Sequence, residues 1–196
     1  VASQSVSAMS AAISVRDDRD GLLSVGADGL QCGCGSPNRW AGCRANAGVL
    51  GGAYYYEATQ MSEGLLRLGW STLNAKLALG TDPHGFGFGG TGKKSHNNQF
   101  DSYGGAFGVG DVMGCALDRE ACTISYFKNG EALGVAFRLP HTIQREALFP
   151  ALCLKGCSVQ LNFGGIPMAA VLPPGLSALN ALQPHHLARG ADEVED

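Results

Sequence analysis

Apolar and polar residues alternate in short runs along most of the chain. In GLLRLGWS (64–71), Leu66, Leu68 and Trp70 share one face while Leu65 and Arg67 share the other. SVQLNFG (158–164) places Val159, Leu161 and Phe163 opposite Gln160 and Asn162. YYYEAT (54–59) and CTISYF (122–127) are rich in the aromatic and β-branched residues that suit strands. LFPALCL (148–154) is apolar nearly throughout and predicts a strand buried on both faces. YFKNGEALGVAF carries Asn129-Gly130 between two strand-like runs, a type I′ hairpin signal. A second hairpin is expected around Asp118 to Ala121.

Before residue 166 no stretch sustains a 3.6-residue apolar period with caps. Many short strands with almost no helix predict an all-β fold, a sandwich of two antiparallel sheets. The ends differ in character. Residues 1–10 read as a flexible lead-in, 11–182 as the folded domain, and 183–196 as an acidic, disordered linker. Within GLSALNAL (175–182) a short helix or a packed extended segment is expected, and Pro173-Pro174-Gly175 breaks any longer helix.

The 196 residues suit one domain, and 45% apolar content is enough for a proper core. No apolar run reaches the ~20 residues of a membrane span, so no membrane role is expected. The first residue is Val1, which reads as a piece cut from a longer chain. Formal net charge is −3, but ADEVED (191–196) holds four of the 17 acids. Without it, 13 acids face 14 Lys and Arg, a body near +1 that would not hold nucleic acid by bulk charge.

Seven cysteines make an odd set without framework spacing, which predicts reduced thiols used as small buried hydrophobes. Cys32, Cys34 and Cys43 could begin a zinc site, but a fourth ligand at standard spacing is missing. No metal is expected.

GFGFGGTGKKSHNNQF (85–100) imitates a nucleotide loop. Gly87, Gly92 and Lys93 keep G-x4-G-K spacing, and Gly85, Gly87 and Gly90 keep G-x-G-x-x-G. A phosphate loop needs a helix behind it. Here four glycines fall between Gly104 and Gly110, and Lys94 stands where a magnesium-binding Ser or Thr belongs. The simpler reading is a strand with Phe86 and Phe88 facing the core, followed by an exposed turn and return strand. Lys93, Lys94, His96 and Asn97 then form a candidate partner-binding tip. Arg67 and Lys76 are further candidates for contact with a partner or with RNA phosphates. Ser95, His96 and Asp101 can be assembled into a triad on paper, but no nucleophile elbow supports it. Asp17, Asp18 and Asp20 read as a charged turn, and His185-His186 as solvated tail residues. Trp70 is expected in the core and Trp40 at the surface. At least one of Tyr54 to Tyr56 must point outward or pack under a loop.

The same residues carry a family likeness. YYYEATQMSEGLLRLGWST, LGTDPHGFGFGGTGKKSHNNQFDSYG, GCALDREACTISYFKNGEALGVAF and LFPALCLKGCSVQLNFG follow in the order of a SPRY domain. GADGLQC, WAGCRA and the late PPG extend the likeness from about residue 12 to 182. The chain resembles the SPRY type inserted in the first RecA-like lobe of a DEAD-box RNA helicase. The resemblance implies a β-sandwich acting as a non-catalytic protein-interaction platform, with an auxiliary RNA-contacting surface as the alternative. It implies an ATP-dependent parent using ATP and Mg, whose catalytic motifs lie outside this piece. It also implies RNA processing, a protein partner in a tRNA splicing-ligase complex, RNA bound through the parent, a monomeric domain, and residence in nucleus and cytoplasm. For the domain itself it implies no cofactor and no catalytic residue.

Overall fold

The computed structural model describes residues 12–190. The expected lead-in at 1–10 and the ADEVED end lie outside the described residues. The chain opens with five short strands: β1 (Asp18–Arg19), β2 (Ser24–Val25), β3 (Gln31–Gly33), β4 (Ala41–Arg44) and β5 (Ala47–Val49). Five more follow: β6 (Ala53–Gln60), β7 (Leu65–Ser71), β8 (Gly85–Gly89), β9 (Lys93–His96) and β10 (Gln99–Ser102). The second half supplies β11 (Val112–Asp118), β12 (Thr123–Lys128), β13 (Glu131–Arg138), β14 (Phe149–Lys155) and β15 (Ser158–Asn162). β16 (Ser177–Ala178) and β17 (Leu187–Arg189) close the chain, with 3-10 turns at Leu179–Ala181 and Pro184–His186.

Two large sheets face each other. The first runs β1-β4-β14-β7-β8-β9-β10. The second runs β13-β12-β11-β6-β15-β3-β2, with β16 joining β6 in parallel beside β15. All other ladders are antiparallel, as the alternation predicted. Leu66, Leu68, Trp70, Phe86 and Phe88 of the first sheet meet Tyr56, Met113, Cys115, Ile124 and Tyr126 of the second in one core. Tyr56 joins the layers by donating its hydroxyl to the Gly69 carbonyl at 2.6 Å, because a buried hydroxyl needs a partner.

The three tyrosines divide as their period-2 spacing requires. Tyr54 and Tyr56 enter the main core, while Tyr55 points to the opposite side of the second sheet. There it packs with Phe127 and Ala170 under the segment that carries Met168, Leu172 and Leu176. The Asn129-Gly130 hairpin forms with φ of 50° and 86°, the expected left-handed pair.

The ordered body does not stop at 182. Leu187–Arg189 pairs with Ala47–Val49, and the Tyr54 hydroxyl lies 2.8 Å from His186 Nδ1. The His186 ring sits against Gly51 and Gly52, where any Cβ would collide with it. So His186 is a packing residue and not a solvated tail. The late histidine and leucine make a fastening that composition alone does not reveal. At the other end, Asp18 pairs with Arg44 at 2.7 Å and Asp20 accepts from the Gly42 amide at 2.8 Å. The carboxylates of RDDRDG thus anchor β1 and its turn.

Candidate functional site

The outer face of the first sheet is only partly covered. The loop 72–84 crosses it, setting the Leu77 carbonyl over Gly42 and Leu79 beside Ala151 and Cys153. Arg67 rises from β7 next to that loop and donates from Nη1 to the Leu79 carbonyl at 2.8 Å. Its position on the polar side of the Leu66–Trp70 alternation was legible in the sequence. Its neighbours were not.

The Arg67 guanidinium carbon lies 4.7 Å from the Trp40 ring centre and 5.1 Å from that of Phe100. Lys155 Nζ lies 5.4 Å from the Trp40 ring. Trp40 comes from the approach to β4, Lys155 from β14 and Phe100 from β10, so the cluster spans six of the sheet's strands. The middle of the span is lined by small residues. Gly87 and Ser95 lie between Arg67 and Phe100, and a Cβ on Gly87 would meet the Arg67 Cγ and Cδ at 2.8 and 2.9 Å. The stem of Arg67 rests on that glycine. Glycines that look like a phosphate cradle in the sequence therefore seat an arginine.

Each cation–ring contact contributes roughly 0.5–1 kcal/mol at an exposed site. Together they hold a guanidinium fixed while leaving most of its N–H donors unused. Among the described residues only Arg44–Asp18 and Lys128–Asp111 form ion pairs within 4.0 Å. Arg67, Lys155 and the exposed Lys93 have no carboxylate partner there. Phe100 is 43% exposed. The result is a cationic, aromatic surface. Beneath it, burial pushes the Cys153 thiol up to about 11, while the Arg67 charge pulls the other way.

The other candidates fall differently. Lys94 turns toward the second sheet, donating to the Ala136 carbonyl at 2.7 Å near the rings of Tyr103 and Phe137. His96 stacks on Phe86 with ring centres 4.3 Å apart and Nδ1 2.9 Å from the Gly85 carbonyl. Lys93, Lys94 and His96 belong to strand β9, and the tip is Asn97-Asn98. Asn97 shapes that turn and donates its amide to the Asp82 carbonyl. Lys76 is exposed on the 72–84 loop, its amide bonded to Asp82 at 2.6 Å. The structure therefore groups Arg67 and Lys93 with Trp40, Phe100 and Lys155, and sets Lys94, His96, Asn97 and Lys76 apart.

No triad assembles from Ser95, His96 and Asp101. Ser95 and His96 are consecutive strand residues on opposite faces. The Ser95 Oγ is buried beside Gly80 without a hydrogen-bond partner. The seven cysteines are free thiols, and six of them are buried. No group of three metal-ligating side chains occurs among the described residues. Among the described residues no helix is long and apolar enough to cross a membrane.

Comparison with known proteins places these features in context. The SPRY domain family matches residues 53–166. "ATP-dependent RNA helicase Ddx1" of Drosophila melanogaster is 55% identical over 148 residues, 75% of this chain and 20% of that protein. "ATP-dependent RNA helicase DDX1" of Xenopus laevis is 44% identical over 172 residues, 88% of this chain and 23% of that protein. "Heterogeneous nuclear ribonucleoprotein U-like protein 2" of Mus musculus is 43% identical over 141 residues, 65% of this chain and 19% of that protein. The chain spans about a fifth of the length of the curated relatives it matches.

Proposed function

This chain belongs to the SPRY domain family, and from that premise we propose that it is a non-catalytic protein-interaction platform carried within an ATP-dependent RNA helicase. The observation that carries the reading is the Trp40–Arg67–Phe100–Lys155 cluster. Exposed aromatic and arginine side chains on a rigid sheet are the usual anchors of protein interfaces. Nothing in the cluster supplies a nucleophile, a general base or an oxyanion hole.

The likeness to the two helicases supports a parent of that kind. In that parent, of DEAD-box type, ATP and Mg2+ act at lobes outside this chain. RNA processing, residence in nucleus and cytoplasm, and a partner in a tRNA splicing-ligase complex are parts of the same proposal. Affinity capture with the parent protein tests it. Wild type retains subunits of that complex, and the double variant Lys93→Glu/Lys155→Glu loses them. Equal retention by both proteins would move the interface elsewhere.

The cluster also favours a second reading, auxiliary contact with RNA. A guanidinium between two rings beside two ammonium groups suits bases and phosphates of a single strand. Three phosphate contacts would give a log–log salt slope of about −2. Titration of the chain with single-stranded oligouridylate tests this, and absence of binding at low salt rejects it.

A further inference from the structure

β10 is the outer strand of the first sheet, and all four of its residues are exposed. The turn before it fixes which backbone groups face outward. Asn97 and Asn98 have φ of 50° and 61°, the type I′ pattern, so His96 and Gln99 form the closing hydrogen-bonded pair. Hydrogen-bonded and non-hydrogen-bonded pairs then alternate along the antiparallel ladder. Lys94–Asp101 is bonded, whereas Ser95–Phe100 and Lys93–Ser102 are not. The Tyr103 amide, which donates to the Gly92 carbonyl at 2.9 Å, continues the alternation. Phe100 and Ser102 therefore turn their N–H and C=O groups away from β9, into solvent.

The other ends of the two large sheets are blunted. β1 and β2 are two residues long. β13 is longer, but register shifts interrupt its ladder with β12, and Gly134 has φ of 91°. Irregular and very short edges resist strand addition. β10 has neither defence.

We propose that β10 is a docking edge at which an extended, acidic segment of a partner protein adds as a further strand. This rests on the reading of the domain as a protein platform. The side chains select the segment. Ser95 lies on the outer face of the first sheet, buried under the 72–84 loop at Gly80, so its partner Phe100 is on that face too, as are the exposed Lys93 and Ser102. An apolar residue of the incoming strand lies beside Phe100. A carboxylate two positions away lies beside Ser102, within reach of Lys93. Phe100 leads back to Arg67, which extends the positive surface. Asp101 projects to the opposite side, so the intervening residues of the segment are uncharged. Main-chain bonds supply affinity in this mode, and alternate side chains supply specificity.

The heptapeptide Thr-Glu-Thr-Leu-Thr-Glu-Thr is a suitable probe because it reads alike in both directions. Added at millimolar concentration to the isotope-labelled chain, it shifts the Phe100 and Ser102 amide resonances and slows their solvent exchange about tenfold or more. Ser102→Pro removes one outward N–H that the fold does not use, a change tolerated at an edge, and abolishes both effects at the Phe100 amide. Lys93→Glu weakens binding several-fold and favours the lysine-substituted peptide instead. No protection at Phe100 and Ser102, or binding unchanged by Ser102→Pro and by Lys93→Glu, would overturn strand addition. The platform reading fails separately: if the parent's partner remains attached to the Ser102→Pro variant, the platform stands and the docking edge falls.

Discussion

The Glu57 carboxylate accepts the backbone amide of Ala169 at 2.8 Å, across 112 residues of sequence. It also accepts from Ala170 at 3.1 Å and from the Tyr55 hydroxyl at 2.8 Å. Glu57 is 3% exposed. A buried carboxylate is tolerable only with such donors. Here they fasten the segment after β15 over the outer face of the second sheet. Glu57→Gln keeps the shape but loses the charge and faces an amide NH2 toward N–H groups. It should cost about 2 kcal/mol. Urea denaturation reads the loss, and faster exchange at Ala169 and Ala170 places it in that segment.

Gly87→Val should release Arg67 from its seat without removing a charge. The added side chain occupies the space of the Arg67 stem, and the guanidinium leaves the rings of Trp40 and Phe100. Partner capture should fall several-fold or more, by the roughly 1–2 kcal/mol of the two cation–ring contacts that hold the guanidinium in place. Circular dichroism should stay that of a β protein.

His186→Ala should loosen the end of the domain. It removes the contact with Tyr54 and the ring over Gly51 and Gly52. A loss of about 1 kcal/mol is expected, with new proteolytic cleavage between Pro184 and Gly190. The core strands should keep their exchange protection.

Burial lifts the thiols of Cys153 and Cys157 to about 11 each. In the unfolded chain these thiols ionise near the ordinary value, so between that range and about 11 the folded state holds protons the unfolded state has released. Stability is therefore fully present below the ordinary thiol range and declines as pH rises toward 11. Urea midpoints at pH 7.5 and about 9.5 should differ in that direction. Under native conditions iodoacetamide should modify the half-buried Cys122 well before the six buried thiols.

Alternation along the chain carried the sandwich, because a half-buried strand must repeat every two residues. Leu66, Leu68 and Trp70 and the Asn129-Gly130 turn were legible for that reason. The cluster around Arg67 was legible only in part. Trp40, Phe100 and Lys155 lie far apart in sequence and meet only when β4, β14, β7 and β10 line up in one sheet. No local pattern encodes that order. Lys94 and His96 looked like tip residues because the turn was expected around them. The Asn97-Asn98 pair takes the turn instead and leaves both side chains on the inward face of β9. His186 was assigned to a tail by composition, which cannot register one ring filling the space above two glycines.

Site-specific photo-crosslinking in the parent protein tests the interaction platform most directly. Benzoylphenylalanine is placed at Phe100, in the cationic cluster, and separately at Val171, which is 95% exposed on the segment that crosses the outer face of the second sheet. The predicted result is a discrete protein adduct from position 100 that Lys93→Glu/Lys155→Glu removes, with none from position 171. Adducts of equal yield from both positions, or none from position 100, would contradict it.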